Sequence, residues 1–215
     1  MPIIFEAKMD GSNAVRYFHF SLIRFYLDQA YEHAIKSKVE HEEMLLSASS
    51  IIGIMFSAMA LEAFANEQSE DVIPKEEIND FVRLRKAYKQ KERETSLTAK
   101  LRILFECKYS HSLGEEHRNG IEELVSLRNN LVHYKFSELA GKHILPPAKQ
   151  TKLDNGQTVT TINFMEQPEL VEPPFILRVG GDAAANCFNI ALSVINSWGS
   201  LSGEPDNVPG LKIIA

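Results

Sequence analysis

Residues 44–67, MLLSASSIIGIMFSAMALEAFANE, decide the fold class. Leu45, Ala48, Ile52, Met55 and Met59 recur at helical spacing, and Ile51, Ile54, Ala58, Leu61 and Ala65 make a second stripe beside the first. A helix that is apolar around most of its circumference needs other helices on nearly every side. Read as a helix from about Glu40 to Glu67, the segment predicts the centre of an all-α bundle of four to six helices. Its uncharged part, Met44 to Leu61, is just long enough to cross a bilayer. However, Ser47, Ser49, Ser50 and Ser57 interrupt it, acidic residues (Glu42, Glu43, Glu62) flank it, and no basic cluster sets an orientation. The expectation is a core helix and no membrane.

Working outward, Phe18, Leu22, Phe25 and Ala30 predict a first helix over Asn13 to Lys38. Pro74, followed by Glu76 and Glu77, predicts the start of a third, since proline fits a first helical turn and carboxylates favour its positive end. That segment turns basic at Arg83, Arg85, Lys86, Lys89, Lys91 and Arg93. Thr95 and Ser96 interrupt it before the apolar run Leu101, Ile103, Leu104 and Phe105. A further helix runs from Glu115 to about Leu139, with Ile121, Leu124, Leu127 and Leu131 inward and Gly141 as its stop. From Lys142 to Pro174 helical repeats are absent. Asp154-Asn155-Gly156 before the β-branched run Thr158 to Ile162 predicts a small β-hairpin near residues 150–178. Asp182 then caps a last helix over about 182–201, with Phe188, Leu192, Ile195 and Trp198 on one face. The whole of 1–215 reads as one helical domain with a β-containing insertion over about 142–178.

Hydrophobic residues are 44% of the chain and charged residues 24%, the balance of a globular protein with a sizeable core. A net charge of −6 argues against a protein that coats nucleic acid non-specifically, while leaving room for a local basic patch. Two cysteines, Cys107 and Cys187, make no disulfide framework, and each reads as a small buried apolar residue. The stretch from Met1 to Asp10 lacks the basic and apolar regions of a secretory signal, so the expected location is cytoplasmic. No Gly-rich phosphate loop, His-Glu-x-x-His motif, Glu-x-x-His pair or nucleophile elbow is visible. No metal and no cofactor are expected.

The stretch that carries chemistry is Ser126-Leu127-Arg128-Asn129-Asn130-Leu131-Val132-His133-Tyr134, where consecutive polar residues interrupt an apolar helix. Arg128, four intervening residues and His133, with Asn129 after the arginine, resemble the Arg-x(4–6)-His signature of HEPN domains (higher eukaryote and prokaryote nucleotide-binding). The helix containing Leu61-Glu62-Ala63-Phe64-Ala65-Asn66 resembles the long apolar helix preceding the motif helix in that family. The resemblance covers about residues 15–140, with residues 142–178 as an insertion. On an ideal helix Asn129 and His133 share a face, while Arg128 stands about 140° from His133. One helix therefore does not aim both at a single atom; two facing copies do. This fits the homodimer with a shared cleft that the resemblance implies.

The resemblance further implies metal-independent RNA cleavage. Histidine titrates near neutrality and can move a proton at the ribose 2′-hydroxyl. Arginine holds the phosphate and offsets charge in the transition state. Asn129 would position the phosphate or the imidazole, with a 2′,3′-cyclic phosphate as product. Glu62 and Asn66 continue the inward stripe, so Glu62 is expected to be buried and paired, with Arg128 its best partner. Asn130 and Tyr134 stand as supporting residues. Arg85, Lys86, Lys89 and Lys91 are either a solvated helix face or a phosphate-tracking surface. A ribonuclease of toxin or phage-defence type, with an antitoxin as its partner, leads; a non-catalytic module that binds nucleotide or RNA or docks a partner such as a nucleotidyltransferase, and a dimeric helical scaffold, stay open beside it.

Overall fold

The computed structural model describes residues 3–41, 47–133, 142–144, 149–161, 169–172, 175–203 and 208–215. It is mostly helical, and the chain divides into two compact units: residues 1–132 with 179–215, and residues 133–178.

The larger unit opens with a feature that the helical reading missed. Asn13–Phe20 is a strand, β2, paired antiparallel with β1 (Ile3–Asp10) from Ile3 opposite Phe20 to Asp10 opposite Asn13. Gly11, with φ +60°, takes the first place of the two-residue turn. That position admits glycine without steric cost, so Asp10-Gly11 is a hairpin signal. Val15, Tyr17, Phe18 and Phe20 are the β-branched and aromatic residues that strands favour. The helix begins only at Ile23, as α1 (Ile23–His41).

Helix α2 (Ala48–Val72) is the central element that the 44–67 pattern demands. Ser47 caps it, its Oγ accepting from the Ser50 N–H. A Cβ on Gly53 would lie 3.2 Å from the Ala184 Cβ and 3.4 Å from the Ala34 nitrogen, so α1, α2 and α6 (Gly181–Ser202) meet there at backbone distance. Gly181 is closer still: a Cβ would stand 2.8 Å from the Lys38 Cα. Leu27, Ala30, Ile54, Leu61, Phe64, Phe188, Leu192 and Ile195 fill this centre. Trp198 closes it, with edge-on ring contacts to Phe64, Phe105 and Tyr109 at 5.6, 5.1 and 4.8 Å. By length and composition α2 could span a bilayer, but more than half of its most apolar window is buried within the unit. The buried Ser57 donates back to the Gly53 carbonyl, and Ser50 donates to the Gly180 carbonyl.

The helix expected from Pro74 is only one turn long. α3 spans Ile78–Val82, and a 3-10 turn follows at Lys86–Tyr88. Leu84 and Lys86, at φ 48° and 53°, break any continuous helix. The reason is the absence of an apolar stripe through 83–93: helical propensity without tertiary packing does not sustain a helix. The segment folds back on itself instead. Phe81 and Tyr88 pack edge to face, Lys86 pairs with Asp80 at 2.8 Å, and the Tyr88 hydroxyl donates to Glu77.

α4 (Ser96–Tyr109) is capped by Thr95, and α5 (Glu115–His133) follows. Ile121, Leu124 and Leu127 are buried as expected, and Leu131 is half-buried. The expected extension to Leu139 and the stop at Gly141 lie outside the described residues. α6 has the buried face foreseen for it, but its N-cap is Gly180 without a side-chain cap bond. Asp182 sits in the first turn, exposed, near Lys38.

The smaller unit holds two short antiparallel pairings. β3 (Lys142–Ile144) pairs with β6 (Glu169–Glu172), and β4 (Lys149–Lys152) with β5 (Thr158–Thr161). The second is the hairpin that Asp154-Asn155-Gly156 predicts. Gly156 takes φ +82°, and the Asn155 side chain accepts from the Gln157 N–H.

Candidate functional site

Arg128 leaves α5 immediately after the buried Leu127, half-exposed over the C-terminal half of α2. Its Nη2 donates to Glu62 Oε1 at 3.1 Å, and its Nη1 donates to Asn129 Oδ1 at 2.9 Å. The expected pairing of Glu62 with Arg128 is therefore present, but the expected burial is not: the two side chains are 44% and 32% exposed. Glu62 lies at the edge of the α2 stripe, half-exposed although Leu61, Phe64 and Ala65 around it are buried, and Asn66 one turn later is exposed. Asn66 makes no side-chain bond to Glu62 or Arg128.

Glu62, Asn66 and Arg128 line a groove of about 340 Å³ together with Ala65, Ser96, Leu97 and Lys100. The last three belong to the first turns of α4, and the sequence reasoning missed them. Lys100 is half-buried and has neither a hydrogen bond nor a carboxylate partner among the described residues. The only available signal was its place one turn inside a capped helix.

The remaining expected site residues are placed as follows. Asn129 is exposed, and its described contact is with Arg128. Asn130 is half-buried, and its side chain makes no hydrogen bond among the described residues. His133, the last described residue of α5, has an exposed side chain that makes no hydrogen bond among the described residues. Tyr134 lies outside those residues. Arg85, Lys86, Lys89 and Lys91 are all exposed, on an irregular connection rather than a helix face, and Asp80 already pairs Lys86.

The buried ion pair expected at Glu62 occurs elsewhere. Arg102 on α4 meets Glu94 through Nε (2.9 Å) and Nη2 (3.2 Å), and Glu106 through Nη1 (2.9 Å). The side chains of Arg102 and Glu94 are only 9% and 7% exposed. Burial alone would raise the Glu94 carboxyl. The Arg102 guanidinium and the Lys91 backbone N–H outweigh it and hold the group below the usual carboxylate range.

A second cavity, of about 490 Å³, opens between α4, α5 and α6, with Phe105, His111, His117, Ser193, Asn196 and Ser197 among its lining residues. His117 Nε2 and Ser193 Oγ lie 2.9 Å apart, and burial lowers the His117 pKa. The contact joins residues far apart in sequence, which no local motif announces. Of the cysteines, Cys187 is buried, its thiol pushed up to about 12 by desolvation, whereas Cys107 is exposed, between Glu106 and Lys108 on the polar side of α4. The expectation that both are buried is corrected accordingly.

Among the described residues, no group of three or more His, Cys, Asp or Glu side chains is placed to hold a metal ion. No family model matches this chain, and no curated protein and no solved structure matches it either.

Proposed function

We propose that this protein is a metal-independent endoribonuclease of the HEPN type, acting in the cytoplasm as a homodimer. Its Arg128 holds the scissile phosphate, and the partner subunit's His133 moves the proton of the ribose 2′-hydroxyl. The observation that carries this reading is the state of Arg128. Its guanidinium is fixed by Glu62 on one side and Asn129 on the other, within a polar groove. A guanidinium has five N–H groups; two are engaged among the described residues, which leaves three to grip a phosphate. Pre-set donors of this kind are what a developing negative charge requires.

The 2′-oxygen attacks the phosphorus as its proton passes to histidine, the bond to the 5′-oxygen breaks, and that oxygen takes up a proton. The products are a 2′,3′-cyclic phosphate and a 5′-hydroxyl, with no redox change. Exposed apolar side chains of the larger unit, including Phe25, Ile35 and Val39 on α1 and Val132 on α5, support a dimer. A second reading, a non-catalytic RNA-binding module, draws on His133, whose ring no described side chain orients.

The test is incubation of purified protein with a mixed-sequence RNA in EDTA. Wild-type protein is expected to cleave it to 2′,3′-cyclic ends, and Arg128→Ala and His133→Ala are each expected to be inactive while folded. Absence of cleavage by wild type, or its persistence in His133→Ala, overturns the nuclease reading.

A further inference from the structure

We infer that the groove between α2, α4 and α5 is a seat for one phosphodiester of an RNA strand, with Lys100 and the first turn of α4 completing what Arg128 begins. The inference rests on the ribonucleic-acid reading above and adds residues from a different helix to it.

Charge is the first argument. The groove's ionised side chains are Arg128, Lys100 and Glu62, two positive and one negative. Glu62 is committed to Arg128, and Lys100 has no partner among the described residues. A half-buried ammonium gives up part of its hydration, and an anion beside it restores the lost interaction. The surplus of one positive charge matches the single negative charge of a phosphodiester.

The second argument is the unused donors. Thr98 N–H donates to Thr95 Oγ1, and Ala99 N–H donates to the Thr95 carbonyl. The N–H groups of Ser96 and Leu97, the first two of the helix, have no partner among the described residues, and both residues line the groove. Free N–H groups at the positive end of a helix favour an anion. The neighbouring Thr95 N–H already holds a carboxylate, Glu122 Oε1, at 2.8 Å. Arg128 lines the same groove from α5, with three N–H groups unengaged among the described residues.

Shape and polarity agree. About 340 Å³ accommodates a phosphate with part of its ribose, and only Ala65 and Leu97 among the lining residues are apolar. An apolar ligand finds no match there. Lys100 thereby acts on binding and register, with no part in the proton transfer.

The experiment is fluorescence-anisotropy titration of a 2′-O-methyl RNA dodecamer, which cannot be cleaved for lack of a 2′-hydroxyl, at several salt concentrations. Lys100→Ala should weaken binding about tenfold and reduce the slope of log affinity against log salt by about 0.7, the value for one single-strand phosphate contact. Lys100→Gln should behave like Lys100→Ala, and Lys100→Arg should stay within about threefold of wild type. Unchanged melting temperatures confirm that the variants are folded. Equal affinity of wild type and Lys100→Ala overturns the seat. So does a Lys100-dependent ³¹P signal with inorganic phosphate when the dodecamer does not bind, because the ligand would then be a small free anion. The two proposals fail separately. Lys100-dependent binding without cleavage of unmodified RNA keeps the seat and removes the nuclease; cleavage with wild-type kcat/KM in Lys100→Ala does the reverse.

Discussion

Arg102 and Arg128 both reach from a helix to a glutamate, and the two pairs show how one chemistry serves two ends. Arg102 grips Glu94 through two nitrogens, with both side chains over nine-tenths buried, and Glu106 takes up a third donor. All its fixed donors are directed into the protein. Arg128 touches Glu62 through one nitrogen at the surface, with Asn129 beside it, lines a groove, and has N–H groups without a partner among the described residues. A buried pair is costly to break because it leaves an uncompensated charge. An exposed pair contributes about 0–1 kcal/mol. The first pair therefore holds α4 to the segment before it, and the second holds a guanidinium in position for something else.

Substitution should separate the two roles. Arg128→Ala is expected to lower RNA cleavage at least about 10³-fold, since it removes a donor to transition-state charge. The same change should move the melting temperature by less than about 4 °C, the equivalent of about 1 kcal/mol in a chain of this size. Kinetics and thermal unfolding on one preparation measure both. A large loss of stability with little loss of activity would make Arg128 a second Arg102.

The buried pair should show the opposite pattern. Glu94→Ala is expected to destabilise by about 3 kcal/mol, the lower end for a broken buried pair because Glu106 still holds Arg102. The melting temperature should fall by about 6–12 °C, with cleavage at low temperature retained. A shift under about 2 °C would show that water reaches Arg102.

Acid sharpens the contrast. The Glu94 carboxyl is depressed in the folded state, so the unfolded chain binds its proton first. The stabilisation is then fully present above the unfolded carboxylate value of about 4.3 and is lost as pH falls through the lower folded value. Between pH 5 and pH 3 wild type should lose more stability than Glu94→Gln, which has nothing left to titrate at that position. Parallel loss in the two proteins would place the acid-sensitive groups elsewhere.

Glu62→Gln is the mildest change. An amide oxygen still accepts from Arg128, so stability should change by less than about 1 kcal/mol. Cleavage should fall about threefold to tenfold, as the guanidinium loses part of its fixed orientation. Loss of several kcal/mol in a melting experiment would mean that Glu62 is buried in the working assembly.

How far the sequence led follows the same division. Continuous apolar periodicity announced α2, α5 and α6, and Asp154-Asn155-Gly156 announced the hairpin, because in each case the pattern is local and unopposed. Residues 13–22 failed because Phe18, Leu22 and Phe25 fit a helical period by coincidence, while Asp10-Gly11 just before them fixed a turn. Residues 83–93 failed because helix-favouring lysines and arginines have no apolar stripe to hold them. At the site, the α2 stripe brought Glu62 to Arg128 correctly. It did not reveal that Glu62 stands at the edge of that stripe, half-exposed while Phe64 and Ala65 beyond it stay buried, which depends on how the surrounding helices pack. Lys100 and the first turn of α4 reach the groove only through tertiary packing, as His117 reaches Ser193, and neither has a local signature.

The account turns on Arg128 and His133 acting from opposite subunits, and mixing two inactive proteins tests it. In a heterodimer of Arg128→Ala with His133→Ala, one composite site lacks both side chains and the other has both. After random subunit exchange, half the dimers carry one of their two sites intact, so cleavage should return to about a quarter of the wild-type rate. No recovery in the mixture, alongside active wild-type protein and proven exchange, would show that each chain supplies its own Arg128 and His133 and would contradict the composite site.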